Sequence, residues 1–274
     1  MVSGLARRRL ALEGYVMTTR LDRIGFHELA PTLRVLGDAG VTTDDADWLR
    51  SPGNAAIVAE FLREKRHHAA FSWLDLMPKD WYFLPLTDAA VPQEHQLTIQ
   101  KYRTLVTDWG VPATTTLCYM VRVGFTLKQH APKAGPCYDD FRYLQGWNFQ
   151  DEPTQDSLVF WIPMLVPGST SKTKAQQLQL LGELRSVHGL PSHHLTSFGS
   201  AALLAGLILA HHRATGEQVP DGGLWTRTDI CRADGCRLRL SWDGDALYCV
   251  IWIWGDERDG RIGGFALGVE ALGS

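Results

Sequence analysis

A tight hairpin predicted near the end of the chain constrains the fold more than any other feature of the sequence. Residues 237–242 alternate arginine or serine with leucine or tryptophan, and residues 247–254 form the return strand. Asp243-Gly244 lies between them and supplies the positive backbone angles of a two-residue turn. Because a slip of one residue would exchange the buried and exposed faces, the alternation also predicts the register. In that register one apolar face contains Leu238, Leu240, Trp242, Leu247, Cys249, Ile251 and Ile253.

The opposite face of this hairpin is the candidate recognition surface. It presents Tyr248, Trp252 and Trp254 together with Arg237 and Arg239. Tyrosine, tryptophan and arginine dominate binding hot spots because they combine a large rigid contact area with hydrogen-bond donors. We therefore predict that Trp252 and Trp254 are at least partly exposed; the alternative is a strand that is buried on both faces. The predicted ligand-binding residues are Trp242, Tyr248, Trp252, Trp254, Arg258 and Asp259.

Two further strands are predicted upstream of the hairpin. Leu117–Lys128 alternates between apolar and mixed positions over twelve residues, which is typical of a strand with one buried face. Ser157–Val166 is almost continuously apolar and therefore predicts a strand in the centre of a sheet. Pro163 has no backbone N–H group, so it requires a bulge, a sheet edge or an early end of that strand.

Two helices are predicted to follow these strands. The first is capped by Ser169-Thr170-Ser171 and ends at Gly189. The second starts at Pro191-Ser192, contains the apolar run Ala201–Ala210, and ends at Gly216. Because a bilayer-spanning helix takes about 20 apolar residues, the run predicts a buried helix instead.

The order of strands and helices predicts an α+β fold with three parts. Residues 1–77 are predicted to form an N-terminal helical bundle, of which residues 1–16 are a loosely ordered extension. Residues 78–216 form an α+β domain in the middle of the chain. Residues 217–274 form a small C-terminal β-rich module with charged loops.

Five of the ten histidines fall between residues 188 and 212. Histidine is the commonest metal ligand and a frequent proton shuttle near neutral pH. Neighbouring histidines on a helix point about 100° apart, and no His-Glu-x-x-His pattern is present. We therefore place His193-His194 at a helix start and His211-His212 at a helix end, and we predict neither a metal site nor a cofactor. The alternative is an intracellular enzyme that uses His193, His194 or His211 with a carboxylate that the sequence does not identify.

The net charge and the cysteine content limit the classes of partner and the cellular compartment that we expect for this protein. The chain has 27 Lys plus Arg against 30 Asp plus Glu, a net charge of −3, which argues against a dedicated nucleic-acid binder. No apolar stretch reaches membrane-spanning length, so no membrane partner is predicted. Five cysteines with irregular spacing predict reduced thiols in a cytoplasmic protein. The spacing of Cys231 and Cys236 is compatible with metal ligands or a small disulfide loop, and the oligomeric state stays open.

Part of the chain resembles a set of uncharacterised bacterial proteins from candidate-phyla genomes. The resemblance covers Leu178–Glu270 and is carried by residues 205–212, 214–217, 227–229, 237–242 and 265–270. It implies a helical front end followed by a short β module rich in Asp, Tyr, Trp, Arg and Gly, and it implies no catalytic residue. More faintly, Asp259–Phe265 resembles the approach to the last strand of C-type-lectin-like modules related to formylglycine-generating enzymes. Such modules include diversified ligand-binding domains.

These observations lead to three functional hypotheses. The first is a non-enzymatic binding protein that presents its C-terminal module to a protein or small-molecule ligand, as a diversified variable module would. The second is the histidine enzyme described above. The third is a structural or assembly protein with the N-terminal helices as its oligomerisation face. The sequence favours the binding protein, because no catalytic motif such as Gly-x-Ser-x-Gly is present.

Overall fold

The computed structural model describes residues 77, 81–221, 223–231, 237–252 and 258–272, without the side chains of residues 231, 237, 251 and 252. The chain divides into two units between residues 72 and 73, and every described residue belongs to the second unit. The predicted N-terminal bundle therefore lies outside the described residues. The described part mixes helices with β-sheets, in agreement with the α+β class. None of its helices is both long enough and apolar enough to cross a membrane.

Eight strands and four α-helices form the described part of the fold. The strands are β1 (Phe83–Leu86), β2 (Leu117–Val121), β3 (Ser157–Leu165), β4 (Trp225–Cys231), β5 (Arg237–Asp243), β6 (Ala246–Trp252), β7 (Ile262–Gly263) and β8 (Phe265–Ala271). The helices are α1 (Gln96–Asp108), α2 (Ala131–Ala134), α3 (Lys174–Val187) and α4 (Ala201–Thr215). Short 3-10 helices lie in several of the connections between them.

The first sheet has the strand order β1-β2-β3-β8, and each neighbouring pair in it is antiparallel. β3 is central and is buried on both faces from Ser157 to Ile162, which confirms the prediction from its apolar sequence. Its register with β8 shifts between Ile162 and Leu165. This shift lies around Pro163. Of the three possibilities predicted for this proline, the structure therefore shows a bulge.

β2 is much shorter than the twelve-residue strand predicted from its alternation. It ends at Val121 because the chain then turns away from the sheet. The N–H of Val123 bonds to the Asp156 carboxylate at 2.7 Å, and Gly124 adopts a φ of +106°. Phe125 is nevertheless buried beyond the turn. The predicted single buried face is wrong as well, because Cys118–Val121 are buried on both sides of the strand and Val123, which belongs to the predicted buried face, is 45% exposed.

Both predicted helices are present, but each starts later than predicted. α3 begins after Thr173, whose side chain forms a capping box, so Ser169-Thr170-Ser171 is not the cap. α4 begins after Ser200, and Pro191-Ser192 lies in the preceding turns. Gly216 ends α4 in the left-handed conformation with a φ of +77°, as predicted.

The hairpin has the predicted buried face, but its turn lies one residue later than Asp243-Gly244, because Asp243 pairs with Ala246 and the turn consists of Gly244 and Asp245. β5 pairs with β6 so that Leu240 faces Cys249 and Trp242 faces Leu247. Gly244 adopts a φ of +58° in the turn. The residues of the predicted apolar face that are fully buried are Leu238, Leu240, Leu247 and Cys249. Ile253 and the side chain of Ile251 lie outside the described residues.

α4 lies between the two sheets and fills the larger core. Its first nine residues, Ala201–Leu209, are all buried, which confirms the predicted buried helix. It contacts β1 of the first sheet and both β4 and β5 of the second sheet, whose strand order is β6-β5-β4-β7. α1 and α3 cover the opposite face of the first sheet. Because β8 returns to the first sheet, the described part of residues 217–274 contributes strands to both sheets.

Candidate functional site

The candidate recognition residues do not all lie on one face of the hairpin. Tyr248 is half-buried on the outward face, where it pairs with Ser241. Trp242 lies on the inward face. Its Nε1–H donates to the Val219 carbonyl at 3.1 Å, and its ring centre is 4.6 Å from that of His212 at the end of α4. Trp242 is therefore part of the packing against α4 and not of the predicted surface.

The other predicted residues belong to the end of β6 and the loop that follows. Trp254 and the side chain of Trp252 lie outside the described residues, so their exposure stays a prediction. Arg258 is exposed. Asp259 stabilises the loop itself, because its carboxylate accepts the Arg261 N–H at 2.8 Å. Partial burial acts to raise the pKa of Asp259, but the hydrogen bonds and charge of Arg261 hold it below its usual value.

Three tyrosines meet on the outside of the hairpin, and we refer to Tyr138, Tyr143, Tyr248 and Trp225 as the tyrosine surface. The ring of Tyr248 lies 5.0 Å from that of Tyr138, 5.5 Å from that of Tyr143 and 6.2 Å from that of Trp225. Tyr138 is 45% exposed and Tyr143 is 36% exposed. The Tyr143 hydroxyl donates to the Cys249 carbonyl and accepts the N–H of the same residue, both at 2.9 Å. These bonds fix the Tyr143 side chain against β6, and exposed aromatic side chains of this kind are typical of binding hot spots.

Two arginines on the same face of the second sheet are buried. Arg239 and its cross-strand neighbour Arg227 are only 4% and 1% exposed. Arg227 donates to the Lys172 carbonyl at 3.4 Å. The adjacent N–H of Ser171 bonds to the Asp259 carbonyl at 2.9 Å. The expectation that Arg239 lies on an open face is therefore wrong, because its side chain is buried.

The three cysteines whose side chains are described are Cys118, Cys137 and Cys249, and all are free thiols. Burial raises the pKa of Cys118 and of Cys137 to about 12. Neither is therefore a thiolate nucleophile at neutral pH. Cys236 and the side chain of Cys231 lie outside the described residues.

His193, His194 and Glu270 form a compact cluster in which one nitrogen or oxygen atom of each residue lies within 4.8 Å of the others. Nε2 of His193 is 2.9 Å from Oε2 of Glu270, in a hydrogen bond. Nε2 of His194 is 3.0 Å from Oε1 of Glu270, which is an ion-pair distance. This second nitrogen is not, however, aligned for a hydrogen bond with any group of the described residues.

Aromatic side chains surround the ring of His194. The ring is fully buried, and its Nδ1 lies 3.3 Å from the equally buried hydroxyl of Tyr102. Phe160 stacks on Tyr102 at 5.6 Å and lies 5.7 Å from His194. Burial lowers the pKa of His194 to about 4, although the Glu270 carboxylate acts in the opposite direction. His194 is therefore neutral at physiological pH and has one ring nitrogen available as a ligand.

A turn, and not a helix, brings the two histidines together. The N–H of Leu195 bonds to the Leu267 carbonyl of β8 at 3.1 Å, and Leu195 adopts a φ of +51°. Bulky residues rarely take this left-handed conformation. The predicted position of His193 and His194 at a helix start is therefore wrong, since α4 starts further along the chain. The angle of about 100° between neighbouring helical residues does not apply in the turn, and both rings reach Glu270.

His211 does not belong to this cluster. Its ring packs edge-on against Trp161 at 5.8 Å, and its Nε2 lies 3.2 Å from the Glu217 carboxylate. Trp161 follows Phe160 in β3, and successive residues of a strand face opposite sides of the sheet. His211 and His194 are therefore on opposite sides of the first sheet. His211 lies near the end of α4, as predicted, and burial lowers its pKa.

Glu270 and Tyr102 are members of this site that the sequence did not identify. Glu270 is 77 positions from His193, and Tyr102 is 92 positions from His194. One sequence feature near Glu270 could have indicated the site. It is Gly268, which lies on the same face of β8 as Glu270. A Cβ atom at residue 268 would lie 2.4 Å from Nδ1 of His194. A glycine inside an apolar strand indicates such a close approach.

Comparison with known proteins reveals no relative, because no protein-family model, no curated protein and no solved structure matches the chain. The resemblances noted from the sequence therefore stay predictions.

Proposed function

We propose that the protein is a metal-dependent enzyme whose centre is formed by His193, His194 and Glu270. The observation that carries the proposal is the convergence of two histidine nitrogens and one carboxylate at a single partly exposed point. Two histidines and one carboxylate are the protein ligands of many catalytic zinc sites, and the set also suits iron(II). This proposal corresponds to the enzyme hypothesis from the sequence, with Glu270 as the carboxylate that was missing.

The distances from each histidine to Glu270 are compatible with ligands of one ion. Zinc binds histidine nitrogen and carboxylate oxygen at about 2.0–2.2 Å, so two of its ligand atoms lie roughly 3 to 3.5 Å apart. The distances of 2.9 Å and 3.0 Å from the two Nε2 atoms to the Glu270 oxygens are close to that range. Nε2 of His194 has no hydrogen-bond partner of standard geometry within the described part of the chain, so it is free to accept an ion.

Tyr102 supports the same geometry from the interior. A histidine that binds a metal through Nε2 usually donates its Nδ1–H to a neighbouring oxygen, which fixes the ring. The Tyr102 hydroxyl lies 3.3 Å from Nδ1 of His194 and is positioned to accept that hydrogen. Because the pKa of His194 is about 4, protons do not compete with an ion for this ligand at neutral pH.

One side of the cluster faces solvent. The side chain of His193 is 53% exposed, that of Glu270 is 19% exposed, and that of His194 is fully buried. An ion held by these groups would have protein ligands on one side and an open position on the other. Three protein ligands and an open position are the arrangement in which zinc lowers the pKa of a bound water molecule to about 7. The reaction class that this arrangement supports is hydrolysis.

Metal content tests the first step of the proposal. We expect inductively coupled plasma mass spectrometry to find about one zinc per chain, and chelator-treated protein to rebind Zn²⁺ in calorimetry. Glu270→Gln and His193→Asn should each weaken Zn²⁺ binding by at least about tenfold. Glu217→Gln and His211→Asn alter a histidine–carboxylate pair outside the cluster and should leave the affinity unchanged. Wild-type protein that binds no Zn²⁺, or an equal loss in the Glu217 variant, would contradict the proposal.

A second measurement separates a catalytic ion from a structural one. The visible spectrum of the Co²⁺-substituted protein should change when acetohydroxamate is added, because an open position accepts an external ligand. An unchanged spectrum would indicate a closed structural site and would overturn the enzymatic part of the proposal. The metal-binding part would then stand on the Zn²⁺ data alone.

The tyrosine surface favours a second function, which is binding of a protein partner. Tyr138 and Tyr143 are the exposed members of an aromatic cluster, and Tyr248 links them to the hairpin. Rigid exposed tyrosines provide contact area at a low entropic cost. This is the recognition hypothesis from the sequence, with Tyr138, Tyr143 and Trp225 added to Tyr248.

Peptides selected on the wild-type protein from a random display library test this second function. We expect Tyr138→Ala and Tyr248→Ala to weaken the selected peptides by about tenfold, as for a hot-spot residue. Val187→Ala is the matched control, because Val187 on α3 is 78% exposed and lies outside the tyrosine surface. If the peptides depend on Val187 instead, or on neither position, the tyrosine surface is not the preferred contact.

A further inference from the structure

A cavity of about 540 Å³ opens beside α4, α2 and β1. Its lining includes the apolar side chains of Phe83, Phe125 and Ala210 and the polar side chains of Tyr82, Lys133 and Arg213. The volume is in the range of roughly 300–1,000 Å³ that is usual for small-molecule sites. The cavity therefore has both the size and the apolar lining of a ligand site.

Tyr82 presents a hydroxyl hydrogen to this cavity. Nδ1 of His130 accepts the backbone N–H of Thr126 at 3.0 Å, so this nitrogen carries no hydrogen. Burial lowers the pKa of His130, and the neutral ring therefore carries its hydrogen on Nε2. That hydrogen is donated to the Tyr82 oxygen, 2.9 Å away. The Tyr82 hydroxyl consequently has its own hydrogen left to donate.

Two cations line the same cavity. Lys133 extends from α2, and Arg213 extends from the last turn of α4 with its guanidinium 5.7 Å from the ring centre of Trp81. Within the described part of the chain, neither cation forms an ion pair with a carboxylate. No described lining residue is acidic. The cavity thus combines two positive charges and a hydroxyl donor with apolar side chains.

We propose that this cavity binds an organic anion, consisting of a carboxylate or comparable acid group on an apolar body of up to about three rings in size. The acid group lies between Arg213 and Lys133, where charge-assisted hydrogen bonds stabilise it. The Tyr82 hydroxyl donates to the same group. The apolar body lies against Phe83, Phe125 and Ala210 and is stabilised by its removal from water.

This site is separate from the proposed metal centre. Phe83 pairs with Val121 on the face of the first sheet that packs against α4. Glu270 pairs with Leu158, whose neighbours in the core are on α1 and α3. Because the two faces are opposite, a ligand in the cavity does not reach the metal centre. The proposal of an anion site therefore does not depend on whether the proposed metal centre exists.

Two fluorescent probes with related ring systems test the proposal. The first is the anion 8-anilinonaphthalene-1-sulfonate, and the second is N-phenyl-1-naphthylamine, which lacks the acid group. We expect Arg213→Gln and Lys133→Gln each to weaken the anionic probe by about tenfold, the loss of one charge-assisted contact. The neutral probe should change by less than about twofold, because its apolar contacts are retained. Ala210→Phe fills the cavity and should abolish binding of both probes.

Matched controls exclude binding elsewhere on the protein. Arg142→Gln removes an exposed arginine outside the cavity and should leave both probes unchanged. Glu270→Gln should also leave them unchanged, since the two sites are separate. The proposal is overturned if Arg213→Gln and Lys133→Gln bind the anionic probe like the wild type, or if both probes still bind the folded Ala210→Phe variant. Circular dichroism of each variant shows that it is folded.

Discussion

The backbone of Gly268 lies directly against the imidazole of His194. A Cβ atom at residue 268 would lie 2.4 Å from Nδ1 of His194 and 2.3 Å from the hydroxyl of Tyr102. Gly268 pairs with Phe160 in the sheet, and the ring of Phe160 lies next to the same imidazole. The absence of a side chain at residue 268 therefore makes the space in which Tyr102 and His194 meet.

Gly268→Ala is accordingly expected to destabilise the protein by about 1–3 kcal/mol, the usual range for overpacking a buried site. Neither His194 nor Tyr102 has room to move outward, because both are fully buried. The free energy of unfolding can be measured by urea denaturation. The same substitution should weaken Zn²⁺ binding, because it displaces the ring of His194 from Glu270.

Gly182→Ala on α3 is the control for this substitution. The nearest atom to a Cβ there is Nη2 of Arg185, at 3.9 Å, and the residue is helical. Alanine should therefore raise the free energy of unfolding by up to about 1 kcal/mol through its helix propensity. If Gly268→Ala is tolerated equally well, the close approach of Gly268 and His194 does not determine the local packing.

The hairpin and the histidine cluster differ in how far the sequence predicts them. The hairpin depends on alternation and on a local turn signal, so its two strands and their buried face are confirmed, with the turn one residue later than predicted. The cluster depends on the pairing of β8 with β3 and on a turn that fixes Leu195 to that strand. No local pattern encodes a partner 77 positions away, such as Glu270 for His193. Periodicity predicts which face of an element is buried, but not which distant residue covers it.

The tyrosine surface also depends on contacts between residues that are distant in the sequence, which local patterns do not predict. Tyr248 could be placed on the outward face because the hairpin register is local. Tyr143 approaches it from a segment 106 positions away from Cys249, its hydrogen-bonding partner. That segment contains consecutive residues with positive φ, including Asp139 and Asp140. Such an irregular backbone has no periodic signature, so its contribution to the surface was not predictable.

Gln177 joins the loop before α3 to β7 inside the protein, and its replacement is expected to be costly. Its Nε2 donates to the Ser169 carbonyl at 2.7 Å and to the Ile262 carbonyl at 2.9 Å, and the side chain is fully buried. Gln177→Met keeps the volume but leaves both acceptors without these bonds. We expect a loss of roughly 2–4 kcal/mol in urea denaturation, the cost of unsatisfied buried polar groups.

Gln179→Met is the matched control on the same helix. The Gln179 amide is exposed and bonds only to Glu183 one turn further along α3, at 2.9 Å. Its loss should change the free energy of unfolding by less than about 0.5 kcal/mol. Equal losses in the two variants would show that the cost comes from the helix and not from the buried contacts of Gln177.

His211 makes the stability of the protein depend on pH. Burial lowers its pKa from 6.5 in the native state, so the ring is neutral there at physiological pH. Between about pH 6.5 and the lower native pKa, the unfolded chain binds more protons at this residue than the native protein does. The contribution of His211 to stability therefore decreases as the pH falls through this window.

Two variants test this dependence with opposite expected results. His211→Asn removes the titrating group, so its free energy of unfolding should decrease less than that of the wild type when the pH falls from about 7 to about 5. Glu217 acts to raise the pKa of His211, so Glu217→Gln should widen the window and make the decrease steeper. Urea denaturation at both pH values gives the comparison. If all three proteins show the same decrease, His211 does not titrate differently in the native and unfolded states.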